Sequence, residues 1–171
     1  MEIDCSNFRI RSYHPADGVD LVRYANNPRV AEHLRDRFPH PYTHEDAAEW
    51  LDLAMRQDPE TNFAIASDEE LIGTIGLRLG EDVYRHSAEI GYWLGEPFWG
   101  RGIVSRAVDA LAGWGFEHFG LLRVFAYVFS ENPASMRVLE KAGFELEATM
   151  RQAVVKNGQV MDQMLFVRLI R

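Results

Sequence analysis

Apolar and polar positions change their period several times along the chain, and each change marks an element. The stretch "FRIRSY" (8–13) alternates and predicts a strand. Pro15 and Asp17 then open a helix carried by Leu21, Val22 and Ala25, and Pro28 restarts a short one through Val30 and Leu34. Thr43 followed by Asp46 has the form of an N-cap with an acid in the first turn, and Ala47, Trp50, Leu51 and Ala54 continue at helical spacing to about Gln57. "NFAIA" (62–66), the turn "SDEE" and "LIGTIGLRL" (71–79) read as a β-hairpin, with "SAEIGYWL" (87–94) as its neighbour in one antiparallel sheet. Val104, Ala107, Val108, Leu111 and Gly115 form a helical stripe within 103–119, and "RVFAYVF" (123–129) is an aromatic, β-branched strand. Strand, helix, strand implies a parallel, right-handed crossover. In "NPASMRVLEKAGF", Asn132 is placed to cap a helix, Pro133 to occupy its first position and Gly143 to follow its end. The chain closes on a hairpin whose Asn157-Gly158 pair predicts a type I′ turn.

The 171 residues suit one domain, residues 1–171, with a core spanning about 8–171. No apolar run reaches the roughly 20 residues of a membrane span, and the acids in "MEIDCSNFRIRSY" argue against a secretory signal, so a cytoplasmic protein with no membrane partner is expected. Cys5 is the single cysteine, which excludes an intrachain disulfide and a thiolate-rich metal site. The six histidines, at 14, 33, 40, 44, 86 and 118, have no metal-ligand spacing, and no metal is expected. A net charge of -8 has the wrong sign for nucleic acid as the main partner.

The chemistry concentrates in "YWLGEPFWGRGIVSRAV" (92–108), where a strand passes into a helix through two glycines flanking an arginine. Successive free amides at a helix start favour an anion such as a diphosphate. Gly100 and Gly102 would let backbone approach it and Arg101 would add charge; alternatively, the glycines merely shape a connection after Pro97. The Rossmann fingerprint fails because Ser105 stands where its third glycine belongs and the sheet ends in an antiparallel hairpin. No G-K-[ST] occurs, which removes the Walker motif.

The run 88–144 resembles the GNAT superfamily of acetyl-CoA-dependent N-acetyltransferases, most nearly its ribosomal-protein N-terminal acetyltransferase branch. Three segments carry the likeness in order: "AEIGYWL" as the central strand, "FWGRGIVSRAV" as the pyrophosphate loop and helix, and "NPASMRVLEKAGF" as the second signature segment. "FRIRSY", "PYTHEDAAEWL" and "KNGQVMDQMLF" extend it more weakly. Val104 departs from the Gly or Ala usual there. The resemblance implies an α/β domain with a mixed, mostly antiparallel sheet of about seven strands, about four flanking helices and a splayed strand pair forming a coenzyme cleft. It implies acetyl-CoA as co-substrate and an amine as acceptor, in a monomer or homodimer. The acceptor would be a peptide N-terminal α-amine, the alternatives being a small-molecule amine or a non-catalytic acyl-CoA sensor.

Carried over residue by residue, the coenzyme set is Trp93, Leu94, Trp99, Gly100, Arg101, Gly102, Ile103, Val104, Ser105, Asn132 and Ser135. Glu89 matches the family's base, acting directly or through water, and also reads as a structural carboxylate. Ser135 matches a position near the coenzyme sulfur and reads equally as a first-turn helix residue. A backbone N–H at Trp93 or Leu94 would meet the oxyanion. Arg35, Phe38 and Tyr42 are candidates for the acceptor side, each with an ordinary packing alternative.

Overall fold

The computed structural model describes residues 1–170, and each predicted period there acquires a partner surface. Strands β1 (Glu2–Asp4) and β2 (Arg9–Arg11) pair antiparallel, with Ile3 opposite Ile10. A 3₁₀ turn at Pro15–Asp17 leads into α1 (Gly18–Ala25), and Asn27 caps the one-turn α2 (Pro28–Ala31) by accepting from the Arg29 N–H at 2.9 Å. Helix α3 (His44–Arg56) starts from a reciprocal capping box: Thr43 Oγ1 accepts the Asp46 N–H at 3.2 Å, and Asp46 Oδ2 accepts the Thr43 N–H at 2.7 Å. Strands β3 (Asn62–Ala66), β4 (Leu71–Leu79) and β5 (Ser87–Leu94) have the predicted bounds, as do α4 (Ile103–Phe119) and β6 (Arg123–Phe129). Helix α5 (Pro133–Lys141) and the hairpin of β7 (Glu145–Lys156) and β8 (Gln159–Leu169) complete the chain. Asn157 and Gly158 both have positive φ, 51° and 75°, as a type I′ turn requires.

The eight strands follow the order β1-β2-β3-β4-β5-β6-β8-β7. Only β5 and β6 are described as a parallel pair, because α4 carries the chain back between them. Hydrogen bonds from Gly95 N–H to the Ile72 carbonyl and from Gly80 N–H to the Ser87 carbonyl, both 2.8 Å, fix β4 and β5 as antiparallel. The sheet has one strand more than expected: β1 is three residues long, and "EID" is too short to show a period. The second predicted helix stops at Ala31, before Leu34, whose N–H bonds the Ala31 carbonyl in a turn; with this one-turn helix counted, five α-helices are described where about four were expected.

Two compact units divide the chain, one of Met1–Gly76 with Tyr92–Ala107, the other of Leu77–Gly91 with the chain from Val108 on. The first has its own core of Tyr13, Leu21, Ala25, Tyr42, Leu51 and Leu71, with Phe38, Trp50 and Trp93 packed against it. In the second, Leu77, Leu111, Leu121, Val124, Leu139 and Phe166 are buried. Gly115 permits the close approach of α4 there, since a Cβ would stand 2.8 Å from Leu77 Cδ1.

Candidate active site

In the first unit the chain leaves β5 through a 3₁₀ turn at Glu96–Phe98, begun by Pro97 near its start. The Trp99 indole N–H donates to the Leu94 carbonyl at 2.7 Å and folds the turn back on the strand end. Beneath it, Asn27 Nδ2 donates to Glu96 Oε2 at 2.7 Å, and Arg29 pairs with the same carboxylate while lying 5.3 Å over the Trp99 ring. Arg101 donates to the Pro97 carbonyl at 2.9 Å and stacks over Phe98. These contacts make Gly100–Ser105 a shaped segment, and sequence reading had not found the Asn27, Arg29 and Glu96 support. No pattern in one strand or helix could have, since these residues come from distant segments.

Gly100 and Gly102 have φ of +75° and +70°, and a Cβ built at Gly100 would meet nothing within 4 Å. Backbone sign and open space, not a crowding neighbour, account for glycine at position 100. Ile103 is buried, whereas Val104 and Ser105 are half-buried. The Gly102 carbonyl accepts the Ser105 hydroxyl at 3.1 Å and the Arg106 N–H at 3.4 Å, closing the first turn of α4. Among the described residues, the N–H groups of Gly102, Ile103, Val104 and Ser105 have no protein acceptor. They form a run of donors at the positive end of a 17-residue helix. Trp93 is half-buried and edge-on to Phe38 at 6.0 Å, and Leu94 is buried. Phe38 stacks on Tyr42, whose burial pushes its phenol up to about 12.

In the second unit, the register of β5 on β6 runs Ser87↔Arg123, Ala88↔Val124, Glu89↔Phe125 and ends there. β6 itself continues to Phe129, paired along its whole length with β8 on the other side. No pairing of β6 with β5 is described beyond Phe125. Glu89 stands at the last paired position, its side chain 13% exposed and ion-paired with Arg78. Sequence reading missed Arg78, the one charged residue of β4; its partner lies across a strand boundary that periodicity does not reveal. Asn132 Oδ1 accepts the Ser135 N–H at 3.1 Å, so Asn132 caps α5 and Ser135 lies in its first turn, half-buried. Tyr127 is half-buried and edge-on to Phe125. Among the described residues, no group of three or more His, Cys, Asp or Glu could hold a metal ion, and no helix is long and apolar enough to cross a membrane.

A family model described as an acetyltransferase (GNAT) domain matches residues 7–145, and the chain belongs to that family. An uncharacterized N-acetyltransferase, p20, of Bacillus licheniformis is 30% identical over 168 residues, covering 95% of this chain and 92% of that one. The ribosomal-protein-serine acetyltransferase of Escherichia coli (strain K12) is 37% identical over 108 residues, 63% of this chain and 60% of that one. The spermidine N(1)-acetyltransferase of the same organism is 25% identical over 146 residues, 85% and 78% of the two chains. Another relative, the N-acetyltransferase YoaA of Bacillus subtilis (strain 168), is matched over 52% of its own length. Among solved structures, a ribosomal L7/L12 α-N-protein acetyltransferase in complex with coenzyme A superposes with a TM-score of 0.87 at 23% identity, covering 99% of this chain and 98% of that one. That likeness establishes the GNAT fold: a mixed α/β, mostly antiparallel open sheet with flanking helices.

Proposed function

We propose that this chain, acting as one domain over residues 1–171, transfers acetyl from acetyl-CoA directly to a primary amine, and that the amine is a peptide N-terminal α-amine. The observation that carries the reading is the run of unpartnered amides from Gly102 to Ser105, behind a glycine whose missing side chain faces open space. Gly100–Ser105, with Trp99 and Arg101 at the margin, would hold the diphosphate, and the edge of β6 beyond Phe125 would take pantetheine as an added strand. Asn132 would hydrogen-bond the pantetheine amide while capping α5.

In the transfer, the amine nitrogen attacks the thioester carbonyl carbon, the carbon–sulfur bond breaks, and the thiolate leaves. The attacking nitrogen must shed a proton, which Glu89 takes directly or through one water; Ser135 donates one to the departing sulfur. A backbone N–H at Trp93 or Leu94 meets the oxyanion. An ammonium is not a nucleophile, so rate rises with pH through the apparent pKa of the bound amine or its base.

Similarity to the ribosomal-protein-serine acetyltransferase supports the peptide acceptor, and similarity to the spermidine acetyltransferase supports a small-amine alternative. Protection from thermal unfolding by acetyl-CoA, absent with a nicotinamide dinucleotide, tests the coenzyme. Release of free thiol with short peptides, N-terminally free or blocked, set beside polyamines, tests the acceptor. Turnover of polyamines alone would overturn the peptide reading.

A further inference from the structure

The peptide that joins Gly102 to Ile103 is gripped by its oxygen. A trans peptide is a rigid plane in which C=O and N–H point in opposite directions, so whatever fixes the Gly102 carbonyl also aims the Ile103 N–H. Three donors reach that carbonyl: the Ser105 hydroxyl at 3.1 Å, the Arg106 N–H at 3.4 Å and Arg106 Nε at 3.3 Å. The Ile103 N–H on the other side of the plane belongs to the run without a protein acceptor. Of the three donors only the guanidinium is charged, and charged donors make the stronger bonds.

The rest of that guanidinium is anchored outside the helix. A long helical side chain leans toward the N-terminus of its own helix, and Arg106 does so far enough to reach the turn between β1 and β2. Its Nη2 donates to Asn7 Oδ1 at 2.8 Å and its Nη1 to the Cys5 carbonyl at 3.2 Å, while Cζ lies 5.0 Å over the ring of buried Phe8. The turn is held in its own right, since the Cys5 N–H donates to the Phe8 carbonyl at 2.9 Å and the Ser6 N–H to Asp4 Oδ1 at 2.8 Å. Turn and helix start belong to the same compact unit. We propose that Arg106, a residue outside the glycine loop, is a positioning residue for the bound coenzyme: braced on the β1–β2 turn, it fixes the Gly102–Ile103 peptide plane and keeps the Ile103 N–H aimed at the diphosphate. Without the brace the plane rocks about the permissive torsions of Gly102, the competent orientation is populated only in part, and apparent affinity falls by that fraction. The inference rests on the acetyltransferase reading and gives a turn about 100 residues away in sequence a part in its coenzyme affinity.

Calorimetry with acetyl-CoA on the full chain, beside thermal unfolding of each protein without ligand, tests it. A lost hydrogen bond from a charged group is worth about tenfold, so Arg106→Gln should raise the coenzyme Kd about tenfold. Asn7→Ala leaves the guanidinium and its charge in place and should raise Kd about threefold. Arg106→Lys keeps the charge but has one nitrogen for acceptors that the planar fork reaches together, and it should recover only a minor part of the loss. In 15N-labelled protein the Ile103 amide proton should move downfield as acetyl-CoA saturates the site, and it should move less at saturation in Arg106→Gln. Full recovery in Arg106→Lys would assign the effect to bare charge and overturn the proposal. So would an unchanged Kd in folded Arg106→Gln with only the unfolding temperature lowered, which is the mark of a purely structural contact. If Arg106→Gln does not fold, Asn7→Ala decides: wild-type Kd and a wild-type Ile103 shift in that variant overturn the brace. Wild-type protein that fails to bind acetyl-CoA removes the coenzyme reading itself, a result distinct from wild-type protein that binds it with variants that bind equally well.

Discussion

Two strand-to-helix junctions of this chain solve the same problem in opposite ways. At the start of α5, Asn132 supplies a side-chain oxygen to the Ser135 N–H and Pro133 has no N–H to satisfy, so the helix meets much of its own demand. At the start of α4, Gly102 has no side chain to offer, and the amides from Gly102 to Ser105 find no protein acceptor. Helices left open in this way expose donors worth a hydrogen bond each, and at φ +70° position 102 favours glycine, which has no side chain to cap them. Under the proposed transfer the difference would divide the roles, the open junction taking an anion and the closed one holding the Ser135 backbone in place. It also explains the support under the first, where Asn27, Arg29 and Trp99 hold a turn that its own helix does not cap.

On that proposal, variants of Glu89 on β5 and of Ser135 at the closed junction change chemistry, and variants at the open one change coenzyme binding. The largest effect should come from the two proposed proton carriers. General acids and bases contribute about 100-fold to 10,000-fold in rate. Glu89→Gln and Ser135→Ala should each lower kcat within that range while coenzyme Kd moves less than about twofold. Steady-state kinetics on the true acceptor with parallel calorimetry will show it, and a kcat within about twofold of wild type for both would remove them as proton carriers. Next in size, Gly102→Val puts a β-branched residue at φ +70° beside the open amides. Coenzyme affinity should fall by about 100-fold in a protein that still folds, and a folded variant with wild-type affinity would erase the contrast between the junctions.

Much of the local structure at these junctions was legible in the sequence. The bounds of β3, β4, β5, α4 and β6 followed from periods long enough to count, and the caps at Thr43 and Asn132 from side chains that compete for backbone N–H groups. The glycines at 100 and 102 marked the open junction because positive φ nearly demands them. What stayed hidden depends on residues far apart in the chain. Arg78 reaches Glu89 across a strand boundary, and Arg29 reaches Glu96 from another helix. A β-bulge at Gln152 in β7 left no trace because a glutamine at φ +53° looks like any other glutamine in "EATMRQAVV". Strand β1 is too short to show alternation.

A smaller effect probes the closed junction as a piece of structure. Asn132→Ala leaves the Ser135 N–H without its cap, which costs about 1 kcal/mol, or about 2–4 °C in a chain of this size. Asn132→Asp keeps the oxygen and should stay within about 1 °C of wild type in a thermal scan. Equal losses in both variants would mean that the cap oxygen is not what stabilises α5.

The smallest expected effect concerns a third junction, the start of α3, which is closed from both sides. The Thr43 hydroxyl and backbone N–H both donate to the Asp46 carboxylate, at 2.7 Å each, and hold its pKa below the ordinary carboxylate value. Because the folded-state pKa is depressed, the stabilisation is fully present above the unfolded-state pKa and is lost as pH falls through the folded value. Asp46 is half-buried at the helix surface, and water still reaches its carboxylate and screens the effect, so the loss should be slight. Between neutral pH and about pH 5, Asp46→Asn should therefore differ from wild type by a nearly constant, small amount in chemical denaturation, and the two curves should converge below about pH 4. A difference that persists unchanged to pH 2 would show that the Asp46 carboxylate charge contributes nothing to the capping box, leaving only the Thr43 side chain to close that helix.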